Sequence, residues 1–256
     1  MDQERGTIKG IINMKTCILI IGRLDTFERC YPSLKEFILD PLDADVFFSG
    51  YPNKKGLSYC EEKINEIWKP KKYLIRKYDD VVRKEIHPDD SKFQRRHPST
   101  TPETWLSGMY NLRHANKLKC EYENENNFKY DICIKARTDL IWHSNIDEED
   151  ISLVMEDSNN ALIPTAWDFK NLHRLGCSDV TCVTSSEGMN KYSSFMDYVD
   201  YYYDRGEIFH PESLMGIHVN HVGLNRIPIT KGIDPFTKKQ NQSGWAVVDP
   251  NRVIEY

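Results

Sequence analysis

Three apolar, β-favouring runs, Cys17–Ile21 (CILII), Asp45–Ser49 (DVFFS) and Asp131–Ala136 (DICIKA), limit what this chain can fold into. Near-continuous apolar runs, rather than alternating ones, belong to strands buried inside a sheet. The stretches between them have helical spacing. One helix is expected after Gly22 through Leu34, Phe37, Ile38 and Leu39, and another over Cys60–Trp68. Thr101-Pro102-Glu103 is a helix start: an N-cap hydroxyl, a proline at the first position and an acid in the first turn. Trp105, Met109, Leu112 and Ala115 follow at helical intervals, before a polar loop expected over Glu121–Asn127. Further strands are expected at Tyr73–Ile75, Ala161–Pro164 and Val180–Thr184, and helices at Met189–Tyr203 and Pro211–Val222. Strand-helix alternation of this kind makes a mainly parallel sheet, with the three runs as neighbouring central strands.

The 256 residues suffice for one α/β domain. Residues 1–13 read as a flexible tail, 14–232 as the domain and 233–256 as a surface-wrapping tail; 77–100, rich in charge, read as a mobile loop. A net charge of -5 argues against a nucleic-acid partner. No run is long enough for a signal peptide or membrane span. The seven cysteines, odd in number and without a C-x-x-C pair, suggest a reducing compartment. A cytoplasmic protein is expected.

Charge intrudes where the third run should stay apolar. In extended chain, Lys135, Arg137 and Asp139 share a face, opposite Ile132, Ile134 and Ala136. Charges at the end of a sheet strand are costly unless an anion or metal completes them. Ligands of open α/β sheets also gather at the carboxyl ends of strands. Asp179, before an apolar strand, and Glu212, in the first turn of a helix beside His210, are further acids in suggestive places. Trp167 follows a strand, where an aromatic ring can stack on a sugar. No P-loop, G-x-S-x-G or zinc-type histidine spacing is present.

Five segments carry a resemblance: ILIIGRLDTFERCYPSLKEFIL, DADVFFSGY, KYDICIKARTDLIW, the P-x₁₄-D-x₉-M-x₂-Y spacing from Pro164 through Asp179 to Met189 and Tyr192, and HPESLMGIHVNHVGL. In order and spacing, over about residues 15–230, the chain resembles small GT-A-type glycosyltransferases of the kind found in large DNA viruses and microbial polysaccharide clusters. The resemblance implies a single GT-A-like α/β domain with a Rossmann-like sheet. It also implies a nucleotide-sugar donor and a glycan or glycoprotein acceptor. Gly22, Arg23 and Thr26 would meet the nucleotide, with Lys135, Arg137 and Trp167 also on the donor. Arg137-Thr138-Asp139 stands where the family has its metal-binding D-x-D, so Arg137 replaces the first acid and Asp139 is left to hold Mn²⁺ or Mg²⁺. Asp179 and Glu212 are the candidate catalytic carboxylates, because an acceptor hydroxyl must lose a proton. Two other classes remain open: a nucleotidyltransferase that makes nucleotide sugars, and a non-catalytic carbohydrate-binding protein of the same fold.

Overall fold

The computed structural model describes residues 14–80, 101–165, 176–207, 209–229 and 245–248. Seven strands form one sheet in the order β3-β2-β1-β4-β7-β6-β8. These are β1 (Thr16–Arg23), β2 (Asp45–Tyr51), β3 (Lys72–Ile75), β4 (Ile132–Arg137), β6 (Asn160–Pro164), β7 (Cys182–Thr184) and β8 (Asn225–Ile229). The three apolar runs are β1, β2 and β4. They are parallel neighbours, with Cys17 opposite both Asp45 and Cys133. β7 runs antiparallel to both β4 and β6, while β8 returns parallel to β6. The sheet is therefore mainly, not wholly, parallel.

Both faces of the sheet are covered. On one, Ile18, Ile20, Val46, Phe48, Ile132, Ile134 and Ala136 pack with α1 (Phe27–Leu34), α2 (Leu57–Ile67) and α4 (Glu148–Glu156). On the other, Cys17, Leu19, Phe47 and Cys133 meet Trp105, Leu106, Met109, Leu112 and Ala115 of α3 (Pro102–Glu125). Thr101 caps α3 as its sequence demands, its hydroxyl accepting from the Thr104 amide. The face of β4 that carries Lys135 is thus a second core face, not an open one; Lys135 itself is 1% exposed.

Two helix boundaries depart from expectation. α3 runs on through the segment read as a polar loop because Lys119 and Glu123 are both fully buried and paired at 3.5 Å. Ser186 Oγ donates to Glu123 at 2.6 Å, and the Tyr130 amide does so at 3.0 Å. The helix stops where Asn127 takes φ +53. The helix expected over Met189–Tyr203 is three pieces: α5 (Ser186–Tyr192), a 3₁₀ turn Ser193–Asp197 and α6 (Val199–Asp204). The helix after Pro211 is α7 (Pro211–His221).

From the last part of the chain, Ala246–Val248 forms β9, antiparallel to β5 (Leu140–Trp142). Trp245 is buried in the core layer of α1, α2 and α4, its indole donating to Asp150 at 3.0 Å. Among the described residues no helix is long and apolar enough to cross a membrane. Residues 1–13, nearly all of the expected loop, and most of the last segment lie outside the described residues.

Candidate functional site

The carboxyl ends of β1, β2 and β4 converge tightly. Gly22 has φ +124, and a Cβ there would lie 2.8 Å from Thr138 Oγ1. Gly50 passes so close that an added Cβ would sit 1.9 Å from the Gly22 carbonyl oxygen. Glycine is required at both positions for contact, and at Gly22 for the backbone turn as well. Thr138 ties the edges together: its hydroxyl donates to the Arg23 carbonyl at 2.6 Å and its amide to that of Ile21 at 3.0 Å. Arg23 pairs with Asp25 at 3.2 Å. Thr26 lies at the start of α1, and its carbonyl accepts from the Arg29 and Cys30 amides. Gly22, Arg23 and Thr26 thus form one strapped turn beside the end of β4.

The charged groups gather at that same edge. Arg137, opposite Ile21 in the register, grips Asp139 bidentately: Nε to Oδ1 at 2.9 Å and Nη2 to Oδ2 at 2.6 Å. Their side chains are 29% and 15% exposed. Burial works against the Arg137 charge, but Asp139 first, then Asp179 and Glu212, outweigh it and hold the guanidinium above its ordinary value. Lys135 donates to the carbonyls of Asp179 and, at 3.1 Å, Val180. Burial lowers its ammonium to about 8, with the Asp179 charge opposing the shift. Asp179 accepts from the Trp105 indole at 2.6 Å.

Glu212 stands in the first turn of α7, 3.4 Å from Nδ1 of His210, the N-cap residue. Burial, then the nearby Asp179 carboxylate, raises its carboxyl to about 7, against the pull of Arg137. An acid with this value shares its proton with water evenly near neutrality, as a general acid or base does best.

The structure thus brings together Lys135, Arg137, Asp139, Asp179 and Glu212, with the Gly22–Thr26 turn alongside. Trp167 lies outside the described residues. Sequence reading missed Trp105, taken only as a core residue of α3; its signal was an indole N–H near a helix start, a donor that needs a partner once buried. Arg76 follows β3 as Arg137 ends β4. The Arg76 guanidinium lies over the Tyr110 ring, 4.6 Å from its centroid, and donates to the Tyr110 hydroxyl at 2.7 Å.

The arrangement does not fit a divalent ion. Both oxygens of Asp139 are taken by Arg137, and a cation there would sit against the guanidinium. Among the described residues no three His, Cys, Asp or Glu side chains are placed to hold a metal.

No protein-family model and no curated protein matches the chain by sequence. Solved structures do match by shape. An active-site mutant of LgtC overlays with a TM-score of 0.51 at 7% identity, over 92% of this chain and 88% of that one. The galactosyltransferase LgtC in complex with donor and acceptor sugar analogues gives 0.48 at 7% identity, over 91% and 87%. Mouse xyloside xylosyltransferase 1 in its apo form gives 0.47 at 12% identity, over 84% and 85%. The chain has the fold of GT-A glycosyltransferases: a single α/β domain whose seven-stranded, mainly parallel sheet is flanked by helices.

Proposed function

We propose that the chain transfers a sugar from a nucleotide-sugar donor to a hydroxyl of a glycan or glycoprotein acceptor. The observation that supports this most is the gathering of a guanidinium and three carboxyl groups at the carboxyl edge of a GT-A sheet, one of the acids poised near 7. In this reading the nucleotide lies along the Gly22-Arg23-Thr26 turn, which leads into the N-terminus of α1. Arg137 faces the diphosphate, whose charge grows as it leaves. The acceptor oxygen attacks the anomeric carbon, the bond to the diphosphate breaks, and the hydroxyl proton passes to Glu212. Asp179, fixed by Trp105, orients the acceptor and keeps the Glu212 carboxyl high. Lys135 acts through the chain at Asp179 and Val180 rather than on phosphate, since its ammonium is spent on their carbonyls. Trp167 keeps its sugar-stacking role as a proposal from sequence.

A thermal-shift screen tests the class of activity. A ligand at about 100 times its Kd stabilises the folded state by about 2.7 kcal/mol, which is readily seen. Stabilisation by UDP- or GDP-sugars supports the transferase. Stabilisation by nucleoside triphosphates alone would instead favour synthesis of nucleotide sugars, and by free glycans alone a non-catalytic binder.

A further inference from the structure

We propose, resting on the transferase reading, that Arg137, clamped by Asp139, takes the diphosphate charge itself, so that nucleotide binding at this site needs no divalent cation.

Three observations carry this. First, Asp139 is not available as a ligand: its two oxygens accept from Nε and Nη2 of Arg137, the paired geometry in which a carboxylate and a guanidinium are best matched. A cation bound there would be limited to the remaining lone pairs and would lie beside a positive charge that cannot be deprotonated. Second, the other acids do not supply an alternative cage, since Asp179 is bound by Trp105 and Glu212 lies against His210. Third, the pairing leaves the guanidinium useful. Asp139 occupies only the Nε–Nη2 edge, and the planar group has five N–H donors, so the edge carrying Nη1 remains for a phosphate oxygen. Arg137 is 29% exposed, more than its partner, and stands opposite Ile21, one residue before the Gly22 turn. Asp139 is then a positioning residue: it fixes the plane of the guanidinium rather than touching the donor.

The test is binding of UDP and of GDP to the full chain, by calorimetry in EDTA and again in excess Mn²⁺, together with titration of Mn²⁺ alone. The better nucleotide is expected to bind equally in both buffers, and Mn²⁺ alone to show no specific site. Arg137→Gln should weaken nucleotide binding by about 10- to 100-fold, the loss of a charge-assisted contact. Arg137→Lys should recover part of that loss, because it keeps the charge and loses the fork. Asp139→Asn should weaken binding less than Arg137→Gln and remain indifferent to Mn²⁺. Melting curves on each variant ensure that the loss is read on folded protein. If both Arg137 variants unfold, the EDTA and Mn²⁺ comparison on the unaltered chain decides. Nucleotide binding that appears only with Mn²⁺, or an Mn²⁺-dependent gain that Asp139→Asn abolishes, overturns the inference and leaves the transferase reading standing. Failure of both nucleotides in both buffers overturns the two together.

Discussion

Two charged clusters in this molecule are built from similar side chains and behave in opposite ways. In the first, Lys119 and Glu123 of α3 are wholly buried, yet every charge is met. Lys119 donates to Ser186 Oγ at 2.6 Å and Asn190 Oδ1 at 3.1 Å, and Glu123 accepts from Ser186 and the Tyr130 amide. Although burial pushes the other way, these bonds and the Lys119 charge hold the Glu123 carboxyl below its usual value. In the second, at the edge of β4, Asp139 is equally well met by Arg137, but burial first, and then a carboxylate neighbour, raise the poorly partnered Glu212 carboxyl to about 7. A saturated network stabilises. One that leaves a proton undecided near neutrality is fitted for chemistry. The comparison can be broken at either end.

The largest effect is expected at the unsaturated end. Glu212→Gln keeps the shape of the side chain and removes its ability to take a proton. Transfer to the acceptor should fall by about 10²- to 10⁴-fold, while donor binding stays nearly intact. Wild-type transfer should also rise with pH through about 7, as Glu212 ionises. A Glu212→Gln variant with full transfer activity would remove the acid from the mechanism.

At the saturated end the loss should appear as stability rather than activity. Lys119→Met leaves Glu123 with only the exposed Lys129, at 3.1 Å, as its cation, and deletes the ammonium contacts to Ser186 and Asn190. Breaking one side of a buried pair costs about 3–5 kcal/mol, to be read as a shift of the urea midpoint at constant slope. A change below about 1 kcal/mol would mean that the network is not a stability element.

The same pair shows what sequence could and could not reveal. The strands were legible because Cys17–Ile21 and its two neighbours are apolar at consecutive positions, a local property. So was the start of α3, written in Thr101-Pro102-Glu103. Its length was not, because Lys119 and Glu123 look like surface residues until Ser186 and Tyr130 are seen to complete them. Lys135 likewise reads as a waiting cation; the carbonyls that occupy it, of Asp179 and Val180, come from more than forty residues along the chain. The antiparallel entry of β7 left no trace in periodicity, which is blind to strand direction. At the site, the residue types and their order were readable, and the Arg137–Asp139 pairing was foreseeable from their spacing. The proximity of Asp179 to Glu212, from which part of the raised carboxyl follows, depends on the segment just before β7 meeting the start of α7, where the Cys177 amide donates to the Glu212 carbonyl at 2.9 Å.

A smaller effect follows from linkage. Glu212 holds its proton more tightly folded than unfolded, about 7 against an ordinary 4.5. Between those values the folded state binds more protons, so stability falls as pH rises from about 4.5 to about 7 and then levels off. Glu212→Gln abolishes this contribution. The variant should therefore equal the wild type near pH 4 and exceed it by about 3 kcal/mol near pH 8. Melting temperatures across that range decide it, and a gain independent of pH would point to packing instead of charge.

The smallest change tests how the core beneath α3 acts on the site. Trp105 joins the core to the site: its ring packs edge-on against Phe195 at 4.8 Å and Phe209 at 6.0 Å, and its indole donates to Asp179 at 2.6 Å. Trp105→Phe keeps much of the ring contact and deletes the donor. A bond to a charged group is worth about 1.5–3 kcal/mol, and the lower figure applies here because Asp179 is only partly buried and water can replace the donor. A loss of about 1.5 kcal/mol is therefore expected in stability. Because the carboxylate that faces Glu212 is then free to turn away, the pH midpoint of transfer should also move down. A purely structural Trp105 would lower stability and leave that midpoint where it was, so the midpoint, not the melting temperature, is the decisive reading.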